Sequence, residues 1–172
     1  RGGLSLMKKS QENLAKLSLE LARLLLEKNY TIGLAESCTG GGIATVLTDL
    51  SGSSSWFELG VVTYSNTAKE KLLGVPKSLL DSFGAVSEPV ARAMVEGVVK
   101  LSGANVGISV TGIAGPTGGT KDKPVGTVCF GFVNFTHGVR LKTKRFSGDR
   151  QSIRQQAVEF ALRSTVSDMS EL

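Results

Sequence analysis

Three segments of the sequence contain nucleophilic, basic or glycine residues at positions where they could carry chemistry or bind a ligand. The first is Ala35-Glu-Ser-Cys-Thr-Gly-Gly-Gly42, in which Ser37 and Cys38 follow a short apolar run and precede three glycines. Where a strand turns into a helix, unpaired backbone N–H groups and the helix dipole favour negative charge. Such a turn can activate a nucleophile, hold an oxyanion or bind a phosphate.

The same segment also has a purely structural interpretation. Ser37 or Thr39 could be the N-cap of the following helix, and the glycines could simply turn the chain. Cys38 is the rival nucleophile to Ser37, although a buried and unreactive cysteine is the commoner outcome. The segment matches neither a Walker A loop nor G-x-G-x-x-G, which argues against a nucleoside-triphosphate site.

A candidate base lies in the second segment, Gly60-Val-Val-Thr-Tyr-Ser-Asn-Thr-Ala-Lys69. Tyr64 ends a predicted strand, and Lys69 lies one turn into the helix predicted after it. A lysine whose pKa is lowered by burial can act as the base for a serine. The alternative is that Lys69 is solvated on an exposed helix, as its neighbour Lys71 would be.

The third segment, Ser109-Val-Thr-Gly-Ile-Ala-Gly-Pro-Thr-Gly-Gly119, is a long glycine-rich loop that leaves a predicted strand. Its backbone N–H groups and the hydroxyls of Thr111 and Thr117 could line a ligand site, or it could be a mobile surface loop. Arg150 precedes the last predicted helix and could bind a phosphate near its N-terminus.

The elements that must position these residues alternate between helix and strand. Apolar spacing of Leu14, Leu17, Leu21, Leu24 and Leu25 predicts a first helix that Ser10 would cap. Further helices are predicted over 43–49, 66–73, 77–83, 88–101 and 152–166. Strands are predicted over 31–36, 57–64 and 105–111, followed by a hairpin over 124–135 and 139–146.

This pattern predicts an α/β fold, with a mixed, mostly parallel sheet and helices on both faces. Sites in such sheets lie at the carboxyl ends of the strands, where the loops after Glu36 and Thr111 are expected. A chain of 172 residues fits one domain. Residues 1–9 are expected to be an N-terminal extension, since Arg1 to Leu6 precede Met7.

Composition excludes several classes of protein. Glycine is frequent, at 21 of 172 residues, but it follows no fixed period, which excludes collagen. Two cysteines do not make a disulfide scaffold, so a reducing cytosol is expected. Because there is a single histidine, His137, a Cys/His zinc site is not expected. His137 falls in the predicted hairpin turn, which argues against a Ser-His-Asp triad. No apolar run approaches the length of a membrane span.

A net charge of +5 suits anionic partners, although the excess is modest. Arg140, Lys142 and Lys144 alternate along one predicted strand and are expected to share one solvent-exposed face. Arg145, Arg150 and Arg154 follow them in the sequence. Because no aromatic residues are interleaved with this basic cluster, single-stranded nucleic-acid binding is only weakly indicated.

Seven segments, in this order, resemble the C-terminal domain of the CinA competence/damage-inducible family, over about residues 14–162. They are Ala35-Glu-Ser-Cys-Thr-Gly-Gly41, Gly52-Ser-Ser-Ser-Trp-Phe57, Val62-Thr-Tyr-Ser-Asn66 with Lys69, Gly84-Ala-Val-Ser-Glu88, Gly112-Ile-Ala-Gly-Pro116, Pro124-Val-Gly-Thr127 and Phe146-Ser-Gly-Asp-Arg150. The family's other, molybdopterin-binding-like domain has no counterpart here, so the chain resembles the stand-alone form or an excised domain.

The resemblance implies a three-layer α/β/α sandwich, usually a dimer, that hydrolyses nicotinamide mononucleotide to nicotinate mononucleotide and ammonia. It assigns Ser37 as the nucleophile, Lys69 as its general base and Tyr64 as the third member of the site. Our own hypothesis is that neutral Lys69 takes the Ser37 proton, either directly or through Tyr64. No metal, cofactor or membrane is implied, and the expected location is the cytoplasm.

The substrate-binding groups are our own inference from the segments. We expect backbone N–H groups near Gly40 and Gly41, next to Thr39, to hold the oxyanion. The loop from Thr111 and Gly112, together with Arg150, is expected to hold the ribose phosphate. The rival hypothesis is a non-catalytic nucleotide-binding or protein-interaction module, and a basic nucleic-acid binder ranks third.

Overall fold

A five-stranded sheet with helices on both faces is the architecture of the computed structural model, which describes residues 2–172. In chain order its elements are α1 (Gly2–Lys28), β1 (Ile32–Glu36), α2 (Gly42–Thr48), a 3₁₀ turn (Ser53–Ser55), β2 (Phe57–Val62), α3 (Asn66–Leu73), α4 (Lys77–Phe83), α5 (Glu88–Ser102), β3 (Val106–Gly112), β4 (Thr127–Asn134), β5 (Gly138–Arg145) and α6 (Arg150–Ser170).

The strands are ordered β2-β1-β3-β4-β5 and form a mixed sheet. β2, β1 and β3 are parallel, and β4 and β5 continue the sheet as an antiparallel hairpin. Glu36 at the end of β1 pairs with Val62 of β2 and Val110 of β3. The three parallel strands therefore end at one edge, as predicted, and the segments that follow them meet there.

Two apolar clusters, one on each face of the sheet, hold the layers together. The larger packs α1, α2 and α6 against the strands through residues such as Leu21, Ile43 and Leu162. The smaller packs α3, α4 and α5 against the other face through Leu73 and Met94. These layers confirm the predicted three-layer α/β/α sandwich.

The ends of two helices differ from the sequence prediction. The first helix begins at Gly2, so Ser10 lies inside it and is not its cap; Arg1, in the expected extension, lies outside the described residues. Leu, Met and Lys are good helix formers, and they outweigh the capping signal of a lone serine. The last helix begins at Arg150, because Asp149 accepts a hydrogen bond from the Ser152 amide.

The basic residues of β5 contact aromatic rings as well as solvent. Arg140 and Lys142 are exposed and Lys144 is half-exposed. The Arg140 guanidinium lies 4.6 Å from the centroid of the Phe132 ring, and Lys144 Nζ lies 5.2 Å from that of Phe160. None of the helices within residues 2–172 has the length and apolar character needed to cross a membrane.

Candidate active site

A cavity of about 270 Å³ opens at the edge where the three parallel strands end. Its lining includes Ser37, Tyr64, Lys69, Thr111 and Arg150, which come from five separate parts of the chain. Its lining includes the guanidinium of Arg150 and, over residues 2–172, no Asp or Glu. Also within residues 2–172, no group of three or more His, Cys, Asp or Glu side chains is placed to hold a metal ion. The cavity therefore favours an anionic ligand.

Lys69 and Ser37 are in direct contact in this cavity. The distance from Lys69 Nζ to Ser37 Oγ is 3.1 Å, and Nζ also lies 2.9 Å from the main-chain oxygen of Thr63 and 3.4 Å from that of Tyr64. Lys69 is only 1% exposed. Burial lowers the pKa of Lys69 below its ordinary value, an effect opposed in part by Cys38. The pair thus consists of a hydroxyl and an amine biased toward its neutral form.

The helix α3 explains why Lys69 is buried while a neighbouring lysine is not. The Ser65 side chain caps α3 by accepting a hydrogen bond from the Ala68 amide. Lys69 and Leu73, four residues apart, share the inward face of this helix, whereas Lys71 lies on the exposed face. The interpretation of Lys69 as an ordinary solvated lysine is therefore wrong.

The turn that carries Ser37 is closed by its own backbone. The amide of Ser37 donates to Val110, the amide of Gly40 donates to the Ser37 carbonyl, and Gly42 donates to Thr39. Gly40 and Gly41 have positive φ angles of 59° and 93°, a region that side chains disfavour. The glycines here shape the turn that presents the serine.

Glu36 supplies the cap of the helix that follows this turn. One of its carboxylate oxygens accepts hydrogen bonds from the Thr39 hydroxyl at 2.6 Å and the Ile43 amide at 2.9 Å, and the other accepts one from Ala44. Glu36 is 1% exposed. Because this carboxylate takes the capping role, the interpretation of Ser37 or Thr39 as a simple N-cap is wrong.

Cys38 is a poor rival to Ser37 as a nucleophile. Its side chain is buried, and that burial raises the pKa of the thiol to about 12. A thiol reacts as its thiolate, so at neutral pH almost none of Cys38 is in the reactive form. Ser37 has a lysine amine at 3.1 Å to take its proton, and it is the better nucleophile of the two.

Tyr64 and Arg150 form a second polar group in the cavity. Arg150 donates one hydrogen bond to the Tyr64 hydroxyl at 3.1 Å and another to the main-chain oxygen of Gly115 at 2.7 Å. Tyr64 is 59% exposed. The phenol is bonded to Arg150, and it is the main-chain oxygen of Tyr64 that meets Lys69.

The predicted binding residues separate into two groups. Thr111 and Gly112 line the cavity with Arg150, and the Thr111 hydroxyl donates to the Ala85 carbonyl. Thr39, Gly40 and Gly41 lie in the turn but outside the lining of the cavity, and the Gly40 amide is already bonded to Ser37.

Sequence reasoning missed Glu36 and placed Arg154 only in the basic cluster, although both contact the turn. A carboxylate at the end of an apolar strand was the one signal that could have found Glu36. Nothing near position 154 in the sequence indicates its contact with the turn, because the partners are more than a hundred residues away.

Known proteins resemble this chain over nearly all of its length. The model of the CinA C-terminal domain family matches residues 14–169. The nicotinamide-nucleotide amidohydrolase PncC of Enterobacter agglomerans is 50% identical over 157 residues, which cover 91% of this chain and 96% of that protein. A putative competence-damage inducible protein of Symbiobacterium thermophilum is 51% identical, but the match covers 83% of this chain and 35% of that protein. A crystal structure of a CinA superfamily protein from Klebsiella pneumoniae matches with a TM-score of 0.88 at 33% identity, covering 92% of this chain and 99% of that one.

Proposed function

Because this chain belongs to the CinA C-terminal domain family, we propose that it is an amidase that hydrolyses the carboxamide of nicotinamide mononucleotide, giving nicotinate mononucleotide and ammonia. The observation that carries the proposal is the 3.1 Å contact between the buried Lys69 amine and the Ser37 hydroxyl. The name of the PncC relative, which is nearly the same length as this chain, supports the substrate.

The first step needs Lys69 as a neutral base. A neutral amine has two N–H donors and one lone pair. The carbonyls of Thr63 and Tyr64 accept the two donors, which leaves the lone pair for the Ser37 hydroxyl. As the Ser37 oxygen attacks the amide carbon, its proton passes to Lys69, and no relay through the Tyr64 phenol is required.

Negative charge then develops on the amide oxygen of the substrate, and backbone amides of the turn stabilise it. The amide of Gly40 is already bonded to the Ser37 carbonyl. Within residues 2–172, neither the Cys38 amide nor the Thr39 amide donates a hydrogen bond to another residue. We therefore place the oxyanion near these two amides, directly after the nucleophile, and not at the Gly40 amide.

The leaving group departs by the reverse proton transfer. Protonated Lys69 gives its proton to the amide nitrogen as the C–N bond breaks, which releases ammonia and leaves the acyl group esterified to Ser37. Neutral Lys69 then takes a proton from a water molecule that attacks the ester. The acid product is released, and Ser37 regains its hydrogen from Lys69.

Arg150 is the residue we assign to the phosphate of the nucleotide. It uses two of its five N–H donors on Tyr64 and Gly115, so three remain for a phosphate. Thr111 and Gly112 line the same cavity and supply polar groups beside it. Tyr64 accepts a hydrogen bond from Lys69 at its main-chain oxygen, and we assign its exposed side chain, which lines the cavity, to contact with the substrate.

Ammonia release from the purified protein tests this function directly. Nicotinamide mononucleotide, nicotinamide riboside and free nicotinamide are compared as substrates at equal concentration. The proposal predicts release from the mononucleotide and much less from the two compounds without phosphate. Tight nucleotide binding with no ammonia release would instead support the non-catalytic binding module, and equal rates on all three compounds would remove the phosphate role of Arg150.

A further inference from the structure

Arg154 connects the last helix to the turn that carries the nucleophile. Its Nε donates to the Cys38 carbonyl at 3.0 Å and its Nη2 donates to the Thr39 carbonyl at 3.3 Å. Hydrogen bonds from a charged guanidinium are stronger than those between neutral groups. Arg154 is absent from the lining of the cavity around Ser37, so these contacts approach the turn from another side.

The turn needs such a support because its own sequence is flexible. Gly40 and Gly41 have no side chains to restrict them, and both adopt positive φ angles. A Cβ placed on Gly40 would lie 3.1 Å from Arg154 Nη2, which shows how closely the guanidinium packs against the turn. Glycine at position 40 thus permits both the positive φ angle and the close approach of the Arg154 guanidinium.

Thr39 is held at two of its groups at once. Its carbonyl accepts from Arg154, and its hydroxyl donates to the buried carboxylate of Glu36. In a trans peptide the N–H points opposite to the preceding C=O. Fixing the Cys38 carbonyl therefore also fixes the direction of the Thr39 amide, one of the two groups that we assign to the oxyanion.

We propose that Arg154 is a positioning residue, which holds the Ser37 turn so that the hydroxyl and the oxyanion-binding amides face the substrate together. This inference rests on the proposed amidase function. Arg150 and Arg154 lie one turn apart on α6 but have different partners. Arg150 lines the cavity and acts on substrate binding, whereas Arg154 contacts the turn and acts on the chemical step.

Steady-state kinetics of two variants separate these roles. For Arg154→Ala we expect kcat for ammonia release to fall by about 10- to 100-fold, since small misplacements of reacting groups cost that much, with KM nearly unchanged. Added guanidinium ion should restore part of the lost kcat. Arg154→Lys should be intermediate, because one ammonium cannot reproduce the planar fork that holds both carbonyls. Arg150→Ala should instead raise KM.

Arg163→Ala is the control, because within residues 2–172 the side chain of this exposed arginine on the same helix donates only to Glu159. Melting temperatures of all variants report whether a loss of activity reflects unfolding. Wild-type kcat in Arg154→Ala would overturn the proposal. A loss of kcat that follows the melting temperature and is not rescued by guanidinium would overturn it too.

The rate at which a fluorophosphonate probe labels Ser37 tests the same positioning without the amide substrate. If the wild-type protein releases no ammonia, the proposed function fails, while slower labelling of Arg154→Ala still supports the role of Arg154 and equal labelling still refutes it.

Discussion

The parallel and antiparallel halves of the sheet differ in whether their charged side chains are buried or exposed. Where β1, β2 and β3 end, Glu36 and Lys69 are each 1% exposed, and their partners are backbone groups or hydroxyls. Along the hairpin strand β5, Arg140 and Lys142 are exposed. Charged side chains are therefore buried in one half and exposed at the surface in the other.

The topology of the sheet accounts for this difference. Parallel strands bring the segments after their carboxyl ends together, so groups that are distant in sequence enclose one another there. β5 is an edge strand, and basic side chains on an edge discourage pairing with other chains while their stems cover apolar surface. Burying an amine without a carboxylate costs free energy, and such an arrangement indicates a function more strongly than an exposed charge does.

Replacing the buried lysine should have the largest effect. In Lys69→Met the base is lost but the long apolar stem is kept, and we expect kcat for ammonia release to fall by about 10³-fold. Lys142→Met removes an exposed lysine from β5 and should leave the rate unchanged. If the two variants lost activity equally, the contrast between the halves of the sheet would carry no functional meaning.

The pH dependence of the rate should show the burial of Lys69. Burial lowers its pKa from the ordinary value of 10.5, so the neutral, active form persists to lower pH than it would for an exposed lysine. Activity should rise with pH and level off above the lowered pKa. The measurement is kcat against pH with nicotinamide mononucleotide. A plateau reached only at the pKa of an exposed lysine would contradict the assignment.

Arg150 should affect substrate binding more than the chemical step. Loss of hydrogen bonds to a charged group costs about 1.5–3 kcal/mol, so KM in Arg150→Ala should rise by about 10- to 100-fold. The matched variant is Arg145→Ala on β5, whose guanidinium donates to the Asp122 carbonyl away from the cavity. A KM in Arg150→Ala equal to that of the matched variant would place the phosphate elsewhere.

The smallest effect is expected at Arg140, and it should be on stability alone. Arg140 contacts the Phe132 ring and pairs with Asp168 at 2.8 Å, both at the surface. Exposed contacts of these kinds contribute about 0.5–1 kcal/mol each, so Arg140→Ala should lower the free energy of unfolding by about 1 kcal/mol. Chemical denaturation measures this change. A loss of amidase activity in the folded variant would mean that the hairpin takes part in function.

Much of the fold could be predicted because apolar periodicity is a local signal. The strand that ends at Glu36 and the order of helices follow from it, whereas the strand predicted over 57–64 ends two residues earlier, at Val62. The turn position of Ser37 follows from the glycines after it. Helix ends were less predictable, since they depend on which cap is used. Asp149 caps α6, which therefore begins at Arg150 and not at Ser152 as predicted.

The site could be predicted only as separate candidates. Ser37 and Lys69 are 32 residues apart, and nothing local to either residue reports their 3.1 Å contact or the burial of the lysine. The roles of Glu36 and Arg154 also depend on tertiary contacts. The prediction of Gly40 as an oxyanion donor lost its support for a similar reason, because its amide closes the turn on Ser37.

The rate of ammonia release from nicotinamide mononucleotide by Ser37→Ala, beside the wild-type protein, tests the central claim most directly. Ser54→Ala, at an exposed position in the 3₁₀ turn, controls for the substitution itself. The Ser37–Lys69 mechanism predicts that the wild-type protein and Ser54→Ala release ammonia at the same rate, while folded Ser37→Ala releases almost none. Ammonia release by Ser37→Ala at the wild-type rate would contradict it.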